Sequence, residues 1–176
     1  MPMKTLLVMR HAKSDWSVAE GTPDAERPLT RRGKRDAEAM AGHLARLGQI
    51  PDLVVHSPAR RCRSTVKRLI AAWPPPAHAG ADERLYMHGV AGCVAAVACL
   101  PDESARALVV GHNPALEDFV ETLTGRRVVL PTTTVACLRL PIDRWQEVDA
   151  LPQAQVLFVM GPDGTMVTDE SGSLPG

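Results

Sequence analysis

Short runs rich in Val and Leu alternate along this chain with longer segments whose apolar residues fall three and four apart, and no other feature narrows the fold as much. A run that is apolar at every position must be buried on both faces, as a strand inside a parallel sheet is. Parallel neighbours in turn need a crossover between them, normally a helix. The strand-like runs are Lys4–Met9, Asp52–Val55, Arg106–Val110, Val135–Leu140 and Val156–Met160. The first helical segment runs from Thr30 to Leu47, with Ala37, Met40, Ala41, Leu44 and Leu47 on one face and Gly48 at its stop. A second begins near Pro58 and continues to about Ala72 with Val66, Leu69 and Ile70, until Trp73-Pro-Pro-Pro76 stops it. A third is expected from Leu85 to Leu100, carrying Val90, Val94, Val97 and Ala98 and ending before Pro101. A fourth follows Pro114 with Leu116, Phe119, Val120 and Leu123, and closes at Gly125. The pattern predicts a three-layer α/β/α sandwich with a mostly parallel central sheet. Gly161-Pro-Asp-Gly164 reads as a turn opening a last short hairpin.

At 176 residues the chain is expected to form a single domain over residues 1–165, with a flexible tail at 166–176 that ends ESGSLPG. Lys plus Arg and Asp plus Glu number 20 each, so no net field draws the chain to nucleic acid or to an anionic membrane. Its apolar runs are too short to span a bilayer. The N-terminal MPMKTLLVMRH carries a charge but no small-residue cleavage site behind its brief apolar stretch, so a cytoplasmic protein is expected. Cys62, Cys93, Cys99 and Cys137 have no CxxC spacing and are expected to be buried free thiols in a reducing compartment. The histidines, at 11, 43, 56, 78, 88 and 112, form no ligand pattern such as HExxH, so no metal and no cofactor is expected.

In open α/β sheets, ligands bind beyond the carboxyl ends of the strands. The conspicuous polar residues fall at such ends. The first run leads into Arg10 and His11, the second into His56-Ser-Pro-Ala-Arg-Arg61, the third into Gly111-His112-Asn113-Pro114. Histidines and arginines remote in the chain would therefore meet at one edge. That set suits a phosphoryl group, because the planar guanidinium pairs its oxygens and a neutral imidazole can donate to one oxygen or attack phosphorus. Surrounding cations favour a neutral His11, which keeps a lone pair for attack. Neither GxxxxGK[ST] nor GxGxxG occurs, so a nucleotide cradle of those kinds is disfavoured.

The strand ending in Arg10-His11, then SPARRCRST (Ser57–Thr65), then VVGHNP (Val109–Pro114), in that order, resemble the histidine phosphatase superfamily. RHAKSDW (Arg10–Trp16), ERPLTRRGKRDA (Glu26–Ala37), the Leu85-Tyr86 pair and LPTTTVACL (Leu130–Leu138) are similar to its SixA-type phosphohistidine phosphatase branch. The likeness covers residues 4–140 and implies a phosphoglycerate mutase-like fold. It implies that His11 is the nucleophile and that Arg10, Arg61 and His112 clamp the phosphoryl oxygens. Arg61 is selected by the family's spacing from Ser57, and Ser17 falls where many relatives carry a polar residue of the phosphate pocket.

One departure from the wider superfamily bears on substrate. Members acting on alcohol esters carry a glutamate proton donor whose best-matched position here is Met87; Asp15 and Glu83 are the nearest carboxylates. An alkoxide leaves badly unprotonated, whereas imidazole leaves readily. The expected substrate is therefore phosphohistidine on a protein partner. The alternatives are a small phosphate ester, or a module that binds phosphate without turnover. Blander assignments hold elsewhere: His43 on a helix surface, His78 in a loop, His56 and His88 structural, Lys13 and Asp15 an exposed ion pair. Arg31, Arg32, Lys34 and Arg35 would be solvated, or else a docking rim for an acidic partner.

Overall fold

The computed structural model describes residues 2–74, 78–150 and 154–165; the tail at 166–176 lies outside them. The chain runs β1 (Lys4–Arg10), α1 (Arg31–Arg46), β2 (Leu53–His56), α2 (Arg60–Ala71), β3 (His78–Ala81), α3 (Arg84–Met87), α4 (Gly89–Ala98), β4 (Arg106–Gly111), α5 (Ala115–Thr124), β5 (Val135–Leu140) and β6 (Gln155–Met160). Short 3-10 helices occupy Asp24–Glu26 and Trp145–Ala150. The strands form one sheet in the order β3-β2-β4-β1-β5-β6. β1, β2, β3 and β4 pair in parallel, and β5 runs antiparallel to both of its neighbours.

The pleat sends alternate residues to opposite faces, which divides the core in two. Leu7 and Met9 of β1 meet Met40, Leu44, Val66 and Leu69 of α1 and α2 on one face. Leu6 and Val8 meet Val97, Phe119, Val120 and Trp145 on the other. All of these side chains are buried, each contributing about 1.5–3 kcal/mol relative to exposure. The three-layer sandwich is thus present, with a mostly parallel sheet.

Several local expectations need correction. The segment Leu85–Leu100 is two helices rather than one, because Gly89 takes φ +59° and breaks the run after His88. His78 lies in an edge strand, β3, not a loop; its sequence HAGA is exposed throughout and carries no apolar period. Cys99 is exposed, unlike Cys62, Cys93 and Cys137. Leu47 also faces solvent, past the end of α1. His43 is half-buried rather than free: its Nε2 meets the Pro162 carbonyl at 3.0 Å, tying α1 to the turn after β6.

The loop leaving β1 is held from several sides. The Ala12 amide donates to Thr65 Oγ1 (3.0 Å), the Thr30 amide to the Lys13 carbonyl (2.9 Å), and Ser14 bridges Leu29. Thr30 also caps α1, accepting the Gly33 amide at 2.9 Å. Gly33 presses against this loop so closely that a Cβ there would sit 2.3 Å from the Lys13 carbonyl oxygen. Gly33→Ala will therefore destabilise the fold by about 1–3 kcal/mol. Gly42→Ala is the opposite case: its Cβ meets nothing nearer than Arg46 Nη1 at 3.5 Å, so helix propensity wins and stability rises by up to about 1 kcal/mol. Thermal melts of both variants check the two signs; a neutral Gly33→Ala would refute the close approach.

Candidate active site

Strand register places the site. Arg10 pairs with Gly111 across β1 and β4, and His56 pairs with Val110 across β2 and β4. The next residue on each strand therefore emerges beside the others at the carboxyl edge: His11, His112 and Ser57. The His11 amide donates to the Gly111 carbonyl (3.1 Å), and the two imidazole centroids lie 5.2 Å apart.

Hydrogen-bond partners settle the protonation of both rings. His11 Nδ1 lies 2.7 Å from the Ala12 carbonyl, which can only accept, so Nδ1 carries the proton. Burial, then His112, Arg61 and Arg10, push the His11 pKa down to about 3 against the hydrogen bond to Ala12. The ring is neutral, and its Nε2 keeps a free lone pair. Arg61 Nη2 can only donate, so His112 Nδ1 accepts from it at 3.2 Å and His112 Nε2 donates to Ser57 Oγ at 2.7 Å. Burial and the neighbouring Arg61 lower this pKa to about 4.

Arg61 stands in the first turn of α2. Its Nη1 donates to the Asp24 carbonyl (2.8 Å) and its Nη2 to Asp24 Oδ2 (3.0 Å). Tyr86 donates its hydroxyl to the same Oδ2 (2.8 Å), and Arg27 Nε donates to Oδ1 (3.1 Å). Burial alone would raise the Asp24 carboxyl, but Tyr86, Arg61 and Arg27 outweigh it and hold the pKa at about 2. Arg27 Nη1 also donates to Ser14 Oγ (2.7 Å), and the guanidinium lies 3.6 Å from the centroid of Trp16.

A hollow of about 210 Å3 opens here, lined by Arg10, His11, Lys13, Ser14, Arg27 and others of the β1 and β5 approaches. Arg61 and His112 meet His11 from the side rather than lining the hollow. Arg10 Nε, Arg61 Nε and Thr133 Oγ1 are buried with no hydrogen-bond partner among the described residues, a condition that costs about 1–3 kcal/mol per group. Guanidinium donors left in this way are what an oxyanion needs. Thr133, at φ 60°, donates its amide to the carbonyls of Arg10 (3.1 Å) and His11 (3.2 Å), fixing the backbone that presents them.

Sequence similarity now identifies the chain. A model of the "Histidine phosphatase superfamily (branch 1)" matches residues 6–86. An uncharacterized protein of Mycobacterium tuberculosis is 31% identical over 158 residues, covering 80% of this chain and 92% of its own length. The chain belongs to the histidine phosphatase superfamily. Solved structures agree. SixA of Nakamurella multipartitia has a TM-score of 0.75 at 27% identity over 92% of this chain and 98% of that one. The protein histidine phosphatase SixA complexed with tungstate has a TM-score of 0.77 at 23% identity, covering 90% and 97%.

Some residues at the candidate site of this superfamily member had not been selected from the sequence. Arg27 and Ser14 line the hollow, whereas Ser17 and Asp15 bind each other in the outer loop: Asp15 Oδ1 accepts the Ser17 amide (2.8 Å) and hydroxyl (2.6 Å). Those bonds lower the Asp15 pKa and leave Lys13 to the hollow. Glu83 is exposed ahead of α3, and Met87 is 77% exposed. Asp24, the carboxylate that does reach the site, had no signal beyond its place three residues before Arg27. His56 is buried with Nδ1 on the Ser57 carbonyl (2.8 Å), and His88 is exposed.

The depressed histidine pKa values make stability depend on pH. As pH falls below 6.5 the unfolded chain takes up protons that the folded site refuses until about 4 at His112 and about 3 at His11. The contribution of these two rings is therefore complete above 6.5 and is lost as pH falls through about 4 for His112 and about 3 for His11. His11→Asn or His112→Asn will each flatten this loss by on the order of 1.4 kcal/mol per pH unit. Urea midpoints measured across the window check this; an unchanged slope would show that neither ring is held neutral.

Proposed function

We propose that this chain is a phosphatase that removes the phosphoryl group from phosphohistidine on a protein, through a covalent phosphohistidine on His11. The observation that carries this reading is the proton on His11 Nδ1, fixed by the Ala12 carbonyl, which leaves Nε2 unprotonated beside a hollow lined by Arg10 and Arg27. In the first step Nε2 bonds to phosphorus as the bond from phosphorus to the substrate nitrogen breaks. The leaving imidazole, protonated at its other ring nitrogen from solvent, keeps the electron pair of the broken bond and departs neutral. Water then attacks the phosphorylated His11, releasing inorganic phosphate and restoring the neutral ring. Arg10, Arg61, Arg27 and His112 would stabilise the charge spread over the phosphoryl oxygens in both steps.

The carboxylates favour this substrate over an alkyl ester. Asp24 is held anionic by Tyr86, Arg61 and Arg27, so it has no proton to give, and Asp15 and Glu83 stand outside the hollow. An alkoxide would leave unassisted, at a rate penalty of about 10²–10⁴; imidazole needs no such help. The substrate class follows SixA, the protein histidine phosphatase that shares this fold. Buried thiols at Cys62, Cys93 and Cys137 suit the reducing cytoplasm to which we assign it.

Turnover of a phosphohistidine-bearing protein should fall at least ~10³-fold in His11→Ala, and about 10²–10³-fold in Arg27→Ala. Wild type should show a higher kcat/KM for phosphohistidine than for an alkyl phosphate. Equal rates for wild type and His11→Ala would reject the nucleophile, and a preference for the alkyl ester would reject the substrate.

A further inference from the structure

Behind one wall of the hollow lies a larger groove of about 370 Å3 between α1 and α2. Its floor includes Pro28 and Leu29, and its walls carry Lys34, Arg60, Lys67 and Arg68, with no carboxylate among the lining residues. The ammonium groups of Lys34 and Lys67 have no partner among the described residues. Arg60 reaches only the Glu26 carbonyl, at 3.4 Å, while Arg68 is paired with Glu38. This concentration of like charge stands in a chain with no net charge. An anionic surface laid across the groove would interact favourably with all of these groups at once.

Groove and hollow share a wall. Ser14, which lines the hollow, bridges Leu29, which lines the groove; Arg27 and Pro28 are consecutive, as are Arg60 and Arg61. At the rim stands Trp16, 78% exposed and stacked on Arg27. An exposed aromatic on a buried guanidinium is the kind of anchor that a protein interface covers. A small phosphate ester would fill the hollow, beside Arg27 and Trp16, and leave Lys34, Arg60 and Lys67 of the groove untouched.

We propose that the groove docks an acidic face of the protein that carries the phosphohistidine, its Asp and Glu side chains lying across Lys34, Arg60 and Lys67 while Trp16 is covered at the rim. The proposal rests on the phosphohistidine reading above for the partner's identity, and on charge and shape for the surface itself. Lys34 and Lys67 are specificity residues, acting on association and not on the chemical step.

Binding can be read without catalysis. A fluorescent glutamate-rich peptide lacking phosphohistidine, followed by anisotropy, should bind wild type and His11→Ala alike and weaken as salt rises. It should lose at least ~10-fold in affinity to K34E/K67E, with K34Q/K67Q in between; circular dichroism verifies that each variant is folded. In turnover, K34E/K67E should lower kcat/KM for a phosphohistidine peptide with a glutamate-rich flank and leave phosphoramidate hydrolysis unchanged. Equal binding of the glutamate peptide and its glutamine counterpart, or undiminished binding by K34E/K67E, would overturn the proposal. So would a single-stranded oligonucleotide that outcompetes the peptide. Binding that follows this pattern with no hydrolysis of phosphohistidine would remove the enzymatic reading and leave the acidic docking surface standing.

Discussion

The parallel pairing of β1 with β4 is the constraint on which the carboxyl edge of the sheet depends. Arg10 opposite Gly111 brings His11 and His112 out side by side. Alternation of polar and apolar residues cannot set this register, because Leu6, Leu7, Val8 and Met9 are all apolar and a one-residue slip would bury an equally apolar face. Polar clamps at the opposite end supply what the apolar pattern lacks. Lys4 is buried and donates its ammonium to the carbonyls of Asp102 and Ser104, while Asp52 Oδ2 accepts the amides of Ala105 (2.9 Å) and Arg106 (2.8 Å). A slip of β1 against β4 would leave the buried Lys4 ammonium without its acceptors, at several kcal/mol, while the exposed Asp52 clamp fixes β4 against the start of β2. The geometry of the site is thus held in part by residues at the far edge of the sheet.

Around His11 the electrostatics are organised to keep imidazole neutral among guanidiniums. Arg10 and Arg61 already surround the ring, and a further cation would be both desolvated and repelled. Asp24 moderates the same field. By accepting from Arg61, Tyr86 and Arg27 it joins α2, α3 and the loop before α1 through one carboxylate. Arg61 is therefore already held in place, with little side-chain entropy left to lose if it is to clamp an anion.

What was legible in the sequence followed the range of the interactions involved. Buried strands, the Thr30 cap and the Gly125 stop declare themselves locally, and His11, Arg61 and His112 are adjacent to those local signals. Asp24 and Arg27 lie in a segment with no apolar period, and Asp24 meets Arg61 and Tyr86 only across 37 and 62 residues of chain. Thr133 gives no hint of its left-handed backbone within a run of threonines. β3 has no apolar residue larger than alanine, so its place at the sheet edge rests on backbone pairing with β2 alone.

Composition was least informative where it summed opposite charges. Equal numbers of acids and bases imply an electrically bland protein only if they are mixed. They are not: α2 carries Arg60, Arg61, Arg63, Lys67 and Arg68 with no acid, and α5 carries Glu117, Asp118 and Glu121 with no base. These helices pack on opposite faces of the sheet, so bases are concentrated on the side of α2 and acids on the side of α5. A partner of the kind proposed, with a net negative face, would be turned toward α1 and α2 before contact, beside the hollow. Net charge governs whether such a partner is attracted from afar; the separation of charge across the sandwich governs which way it arrives.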